Sequence, residues 1–456
     1  MAKVMAVAVN TMKQALRMKI AWVVVLLLVV LLPLLAWGST GDGTVKGRLQ
    51  TFISYSLSLT SLILSVLTIL VTAHTATSDI VHRQVFTVLS KPIRRWQFVL
   101  GKFLGVFLLD LSLLTLAAVF IFVVVVSIPR FMSVSPSEQA QIESQFYTAR
   151  AALKPKVGDV NEAEIQKRYE QLERSGDLAR FAEEGIPKRD ILTRLRTVAK
   201  LEMNAAGPSE SLLWQFRNVR LFDPNDKLFV RFKYDVSVTP PDSQVYSYWE
   251  VGDDRQYQSQ EPATTPFWKE RRRDAVRTVT EFAVPAAVIA EDGYLGLRFV
   301  NAPMNDTVVI FPLGEGLAVM YQVGTFTHNF LRAILLILFR LVYLTAFSLF
   351  AASFLSFPVA VLLCFMVFVM VSICGFLLDS FTYMDKEIQF VYDVTLKPLL
   401  ELLPQFDRDN PVSFMLNGRM ISTLLLAKAA GIMIGLWTSV YVGLGLRIYS
   451  RREVGR

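Results

Sequence analysis

FTVLSKPIRRWQFVLGKFLG, residues Phe86 to Gly105, lies between two long apolar runs. It carries Lys91, Arg94, Arg95 and Lys102, with Pro92 directly after the first of these. A basic turn marked by proline, set between two runs long enough to cross a bilayer, fixes the topology of the chain. It also raises the question of what docks on it.

Working outward, the chain has 456 residues, 53% hydrophobic and 19% charged, with a mean hydropathy of +0.42. That is too apolar for an ordinary soluble enzyme. A bilayer span needs about 20 residues. Ile20–Trp37, Phe52–Ala73, Phe103–Ile128, Ala333–Leu355, Pro358–Leu378 and Ile421–Leu446 each meet that need. Lys13, Arg17 and Lys19 precede the first of them as they would a signal peptide. Its apolar run is longer than the usual signal core, and AWGSTGDG after it is a poor cleavage pattern, so a retained helix is expected.

Lysine and arginine collect before the first span, between the second and third, and after the sixth (Arg447, Arg451, Arg452, Arg456). By the positive-inside bias these three segments are cytoplasmic. Residues 129–328 and 379–420 then lie outside. From Pro129 to His328 there are 25 Lys and Arg against 28 Asp and Glu, and the remainder has 22 against 11. The basic excess therefore borders membrane, which fits lipid headgroups rather than nucleic acid. No basic stripe interleaved with aromatics stands out. Arg271, Arg272 and Arg273 sit beside Glu270 and Asp274, as a solvated surface would.

The fold class expected is a polytopic α-helical membrane protein. Residues 1–128 hold an N-terminal helix and three spans, with a cytoplasmic loop over 74–102. Residues 129–328 form a large external α+β domain, and 329–456 hold three more spans. Val4, Ala8, Met12 and Ala15 recur at helical spacing opposite Lys3, Asn10, Lys13 and Arg17. That pattern suits either an amphipathic helix on the inner surface or an extension of the first span. Within the external domain, 136–204 is charged and helical in period, and 212–320 reads as a β-sandwich. Leu228 to Val238 alternates strictly, as a half-buried strand does. Further strands fit Thr278–Val284, Leu295–Asn301 and Thr307–Phe311. Lys397–Met420, broken by Pro404 and Pro411, suits short external helices half-sunk in the membrane, re-entrant in character.

Cys364 and Cys374 lie about 15 Å apart along one helix and cannot pair. His74, His82 and His328 give no metal-site spacing. There is no G-x-x-x-x-G-K-[ST] loop, so no nucleotide site, cofactor or enzymatic activity is expected of this chain itself. Asp110 and Arg340 are charges inside spans, which are costly and usually face a bundle interior. Asp110 is expected to bond Ser112, Thr115 or a facing helix. Arg340 is expected to snorkel toward Asp379. Either could instead line a substrate path.

Thr77–Gly105 resembles the cytoplasmic loop of type-2 ABC transporter permeases, and most of all the subgroup linked with multi-copper enzyme maturation. Asp79 matches an acidic position, Leu89-Ser90-Lys91-Pro92 the L-S-K-P, Arg94-Arg95 the basic position, and Leu100-Gly101-Lys102 the L-G-K. Arg83-Gln84 stand where that family often has Gly-Thr. LLPQFDRDNP (Leu402–Pro411) and YSRREV (Tyr449–Val454) resemble its segment before the last span and its tail. The external domain is not covered. The resemblance implies a bacterial plasma-membrane permease that works as a dimer, with a second copy or a paralogue. It implies a separate cytoplasmic ATPase that binds ATP and Mg. Thr87, Val88 and Leu89 would sit in a cleft of that ATPase. Pro92 would end the coupling helix, and Lys91, Arg94 and Arg95 would anchor it. Export, lipid extraction or mechanical work on an external partner all fit. The competing expectation is a membrane-anchored scaffold or sensor whose β-sandwich binds an envelope protein, without transport. A polytopic membrane enzyme lacks a convergent catalytic set.

Overall fold

The computed structural model describes residues 2–451 apart from 82–93, 133, 157, 159, 177, 179–187, 220–226, 258–264, 315 and 381–385. The side chains of Asp79 and Asp379 also lie outside the description. The chain divides into two compact units, one of residues 1–149 with 325–456 and one of residues 150–324.

The first unit is helical. α1 (Ala2–Leu16) is followed by α2 (Lys19–Gly38), α3 (Val45–Val81), α4 (Arg95–Ser127) and α5 (Pro136–Gln145). After the second unit come α8 (Phe326–Ala352), α9 (Phe357–Ser372), α10 (Cys374–Ser380), α11 (Lys386–Leu402) and α12 (Pro411–Leu416). α13 (Thr423–Ala430) runs through a π-helical stretch, Gly431–Thr438, into α14 (Ser439–Arg451). Among the described residues, five helices are long and apolar enough to cross a membrane. The expected fifth span, Pro358–Leu378, departs from this set. α9 has 16 residues, about 24 Å at 1.5 Å per residue, and the chain breaks at Ile373 before α10. α8 is the central helix, with nearly every residue from Phe339 to Phe347 buried.

α1 settles the choice left open by its sequence. It ends at Leu16, and Met18 is extended with φ −72 and ψ 130, so α1 does not continue into α2. Val4, Ala8, Thr11 and Ala15 are its buried face, and that face seats on two glycines of α4. A Cβ at Gly101 would lie 2.6 Å from the Val7 Cβ, and one at Gly105 2.6 Å from the Ala8 carbonyl oxygen. α5 also belongs to this unit, because Glu138 accepts from the Val45 backbone N–H at 2.7 Å.

The second unit carries α6 (Glu162–Arg174), α7 (Lys188–Glu202) and antiparallel sheets. Its strands are β1 (Thr148–Leu153), β2 (Ala205–Ala206), β3 (Ser211–Phe216), β4 (Lys227–Phe232), β5 (Asp235–Val236), β6 (Gln244–Gly252), β7 (Trp268–Ala275), β8 (Thr280–Pro285), β9 (Leu295–Asn301), β10 (Val309–Ile310) and β11 (Leu317–Thr325). They form sheets in the orders β1-β11-β4-β8, β2-β10-β5 and β3-β9-β6-β7. Their inward faces share one core. Trp249 sits at its centre, with ring centroids 4.8 Å from Phe232 and 5.0 Å from Phe299. The alternating run Leu228 to Val238 is two strands in two sheets, not one. The chain leaves the first sheet after Phe232 while Tyr234 and Val236 stay buried. β1 also falls inside the stretch read as helical.

Candidate functional site

The residues singled out inside the membrane converge on α8. α3 presents Ser56, Thr60, Ser65, Thr68, Thr72 and Thr75 as a buried hydroxyl seam. This repeat at helical spacing keeps side chains small, so that α4 and α8 pack closely beside it. Asp110 of α4 is 1% exposed and accepts from the Thr68 hydroxyl at 3.0 Å and the Thr345 hydroxyl at 3.4 Å. It therefore ties α4 to both α3 and α8. Its own-helix neighbours are occupied elsewhere: Ser112 donates to the Leu109 carbonyl and Thr115 to that of Leu111. A second tie lies nearer the start of α4 and the end of α3. Lys102, 3% exposed, crosses from α4 to donate to the Thr75 carbonyl on α3. The two ties are about 12 Å apart along α4, so α3 and α4 are braced as one hairpin.

Arg340 does its work on backbone. Its guanidinium donates to the carbonyls of Phe406 and Asp409, the latter at 2.9 Å, and lies 5.0 Å from the Phe406 ring. Its expected partner Asp379 has its side chain outside the described residues. The segment Arg340 holds is LLPQFDRDNP, noted in the sequence. The Phe406 N–H donates to the Val371 carbonyl at 3.0 Å, and Trp437 donates to Leu402 at 2.9 Å. Asp407 accepts from the Gly375 and Phe376 N–H groups at 3.0 and 2.7 Å. The break between α9 and α10 leaves those N–H groups without helical partners, and the carboxylate supplies them. Sequence reading missed Asp407. An Asp three residues after Pro404 was the available signal, but its use depends on a helix break that an unbroken apolar run hides.

Of the coupling-loop residues, Thr87, Val88, Leu89, Ser90, Lys91 and Pro92 lie outside the described residues, and so does the Asp79 side chain. The two arginines after them are described. Arg94 precedes α4, and its backbone N–H donates to Gln97 at 3.1 Å. Arg95 reaches α14 and donates to the Tyr449 carbonyl at 3.0 Å. Leu100-Gly101-Lys102 thus serves two contacts within one turn: Gly101 receives α1 and Lys102 reaches α3. Gly101 and Gly105 were in plain view as a G-x-x-x-G pair.

The second unit holds a feature that linear reading did not find. Cross-strand pairing sets Arg271 against Tyr248 and Arg273 against Tyr246. Each guanidinium lies over its tyrosine ring, at 5.6 and 5.1 Å. The basic and aromatic stripe is made by register, not by sequence order. Arg272 points the other way and pairs with Glu270 and Asp274 at 2.7 and 2.8 Å. Among the described residues, no three His, Cys, Asp or Glu side chains gather to hold a metal ion. No protein-family model, curated protein or solved structure matches the chain.

Proposed function

We propose that this chain is the membrane subunit of a type-2 ABC transporter. In this reading it has six spans, with α9 and α10 together forming the fifth across the Ile373 break. Its termini and the 82–93 loop are cytoplasmic, in a bacterial plasma membrane. It works as a dimer, with itself or a paralogue, on a pair of cytoplasmic ATPase subunits that hold the ATP and Mg. The observation that most supports this reading is the braced hairpin. Leu89-Ser90-Lys91-Pro92 lie in the sequence between α3 and α4, and Lys102–Thr75 and Thr68–Asp110–Thr345 stiffen those helices and link them to α8.

A loop pushed from the cytoplasm moves both helices together, as a rigid-body change. Asp110 passes that motion to α8, and Arg340 on α8 grips the 406–409 segment. The path is contiguous and made of hydrogen bonds, the longest being Thr345 to Asp110 at 3.4 Å.

Leu89→Asp tests the reading. The substitution puts a charge on the face proposed to enter the ATPase. It should abolish coupled ATP hydrolysis in the reconstituted complex while the protein still inserts and remains monodisperse. Coupled hydrolysis at the level of the unsubstituted protein would remove the coupling assignment and favour a membrane-anchored scaffold.

A further inference from the structure

β7 ends its sheet, whose order is β3-β9-β6-β7. Its inward residues neutralise one another through Arg272 with Glu270 and Asp274. Its outward residues find carboxylates off the strand instead, and not all of them do. Lys269, Arg271 and Arg273 are exposed on alternate positions. Lys269 meets Glu250 at 2.7 Å and Arg273 meets Asp242 at 3.1 Å. Arg271 forms no ion pair among the described residues and is held only over the Tyr248 ring. Arg298 of β9 lies on the same face, 3.9 Å from Glu250 and 5.7 Å from the Tyr257 ring, so that Glu250 is shared between two cations.

Alternate residues of a strand are about 7 Å apart. An added antiparallel strand with acidic residues at every second position has the same period. It would bring a carboxylate within about 5 Å of each cation in turn. A strand-ending edge also offers a row of backbone groups that a peptide can complete and a sugar or phosphate polymer cannot. We propose that the β7 edge binds an extended acidic peptide segment of an external partner by strand addition, with Arg271 as its central contact. This deepens the external-partner part of the function proposed above and does not depend on ATPase coupling.

The test uses the full chain in nanodiscs without nucleotide, so its failure leaves the coupling question untouched. The probe is a fluorescent decapeptide of alternating Glu and Thr, followed by anisotropy. Binding is expected, and Arg271→Glu should weaken it about tenfold, the equivalent of about 1.4 kcal/mol. N-methylation of the peptide's ladder-forming amides should abolish it with the unsubstituted protein, a readout that needs no variant to fold. Three results would each overturn the proposal. One is no binding, which leaves the cations as a guard against edge pairing. Another is undiminished binding of the N-methylated peptide. The third is equal binding of inorganic polyphosphate, which shows charge attraction alone.

Discussion

Asp110 shows how much a single residue carries. A buried carboxylate is stable only where its oxygens are hydrogen-bonded. The Thr68 and Thr345 hydroxyls also lie 2.7 and 2.8 Å from carbonyls of their own helices. Each hydroxyl has one proton to give, so both can fall back on those carbonyls when the carboxylate is lost. Asp110→Asn keeps the shape and one accepting oxygen, its NH2 can donate to the hydroxyl that turns back to its own-helix carbonyl, and it should change stability by less than about 0.5 kcal/mol. Asp110→Ala leaves a gap among three helices and should cost about 1–2 kcal/mol. Denaturant titration of the detergent-solubilised protein separates the two. Equal losses would mean that charge, not hydrogen bonding, is what α4 needs there.

In the second unit, Arg255 grips Asp253 at 2.8 Å and Asp292 at 2.7 Å. The hydrogen bonds from Arg255 hold both carboxyls below their usual value of 3.8. A folded pKa below the unfolded one contributes stability that is whole above the unfolded value and lost as pH falls through the folded one. The unfolding temperature of this unit should be insensitive to these groups from neutral pH to about 5 and fall below about 4. Arg255→Gln should flatten that acid limb in a pH series followed by tyrosine and tryptophan fluorescence. An unchanged limb would show that other carboxyls set it.

Among the elements, α1 and α4 give the sharpest expectation. Gly105 leaves only enough room for the α1 backbone, since a Cβ there would stand 2.6 Å from the Ala8 oxygen and 2.7 Å from the Thr11 Cβ. Gly105→Leu should lift α1 from its seat and speed tryptic cleavage at Lys13 and Arg17 severalfold. Gly443→Ala on α14, where nothing lies within 4 Å, should leave cleavage unchanged and should stabilise its helix slightly. Equal cleavage of the two variants would mean that α1 is held by something other than this seat. The sequence announced the face of α1 through Val4, Ala8 and Ala15, while its seat on Gly101-x-x-x-Gly105 emerged only from the structure. It did not announce the end of α1 at Leu16, because Arg17-Met18 contains no proline or glycine.

Seen as a whole molecule, the five long apolar helices were legible because length and hydropathy alone mark them. The Ile373 break was not, because apolar composition runs through it and the compensating Asp407 lies in a distant segment. Strict alternation located Leu228 to Val238 but could not show that it serves two sheets, since both keep the same side buried. The arginine and tyrosine face needed register, which no single strand contains. Of the intramembrane pair, Asp110 bonds facing helices, one of the options its sequence left open. Arg340 found backbone carbonyls, partners that composition never displays.

We propose that this chain transmits work from a separate ATPase. The most direct measurement is affinity purification of the tagged protein from its native membrane, with mass spectrometry of what is retained at stoichiometric level. A cytoplasmic ATPase with a Walker A loop is expected at one copy per membrane subunit, lost on Leu89→Asp. Retention of external proteins alone, with no such ATPase before or after cross-linking, would contradict it.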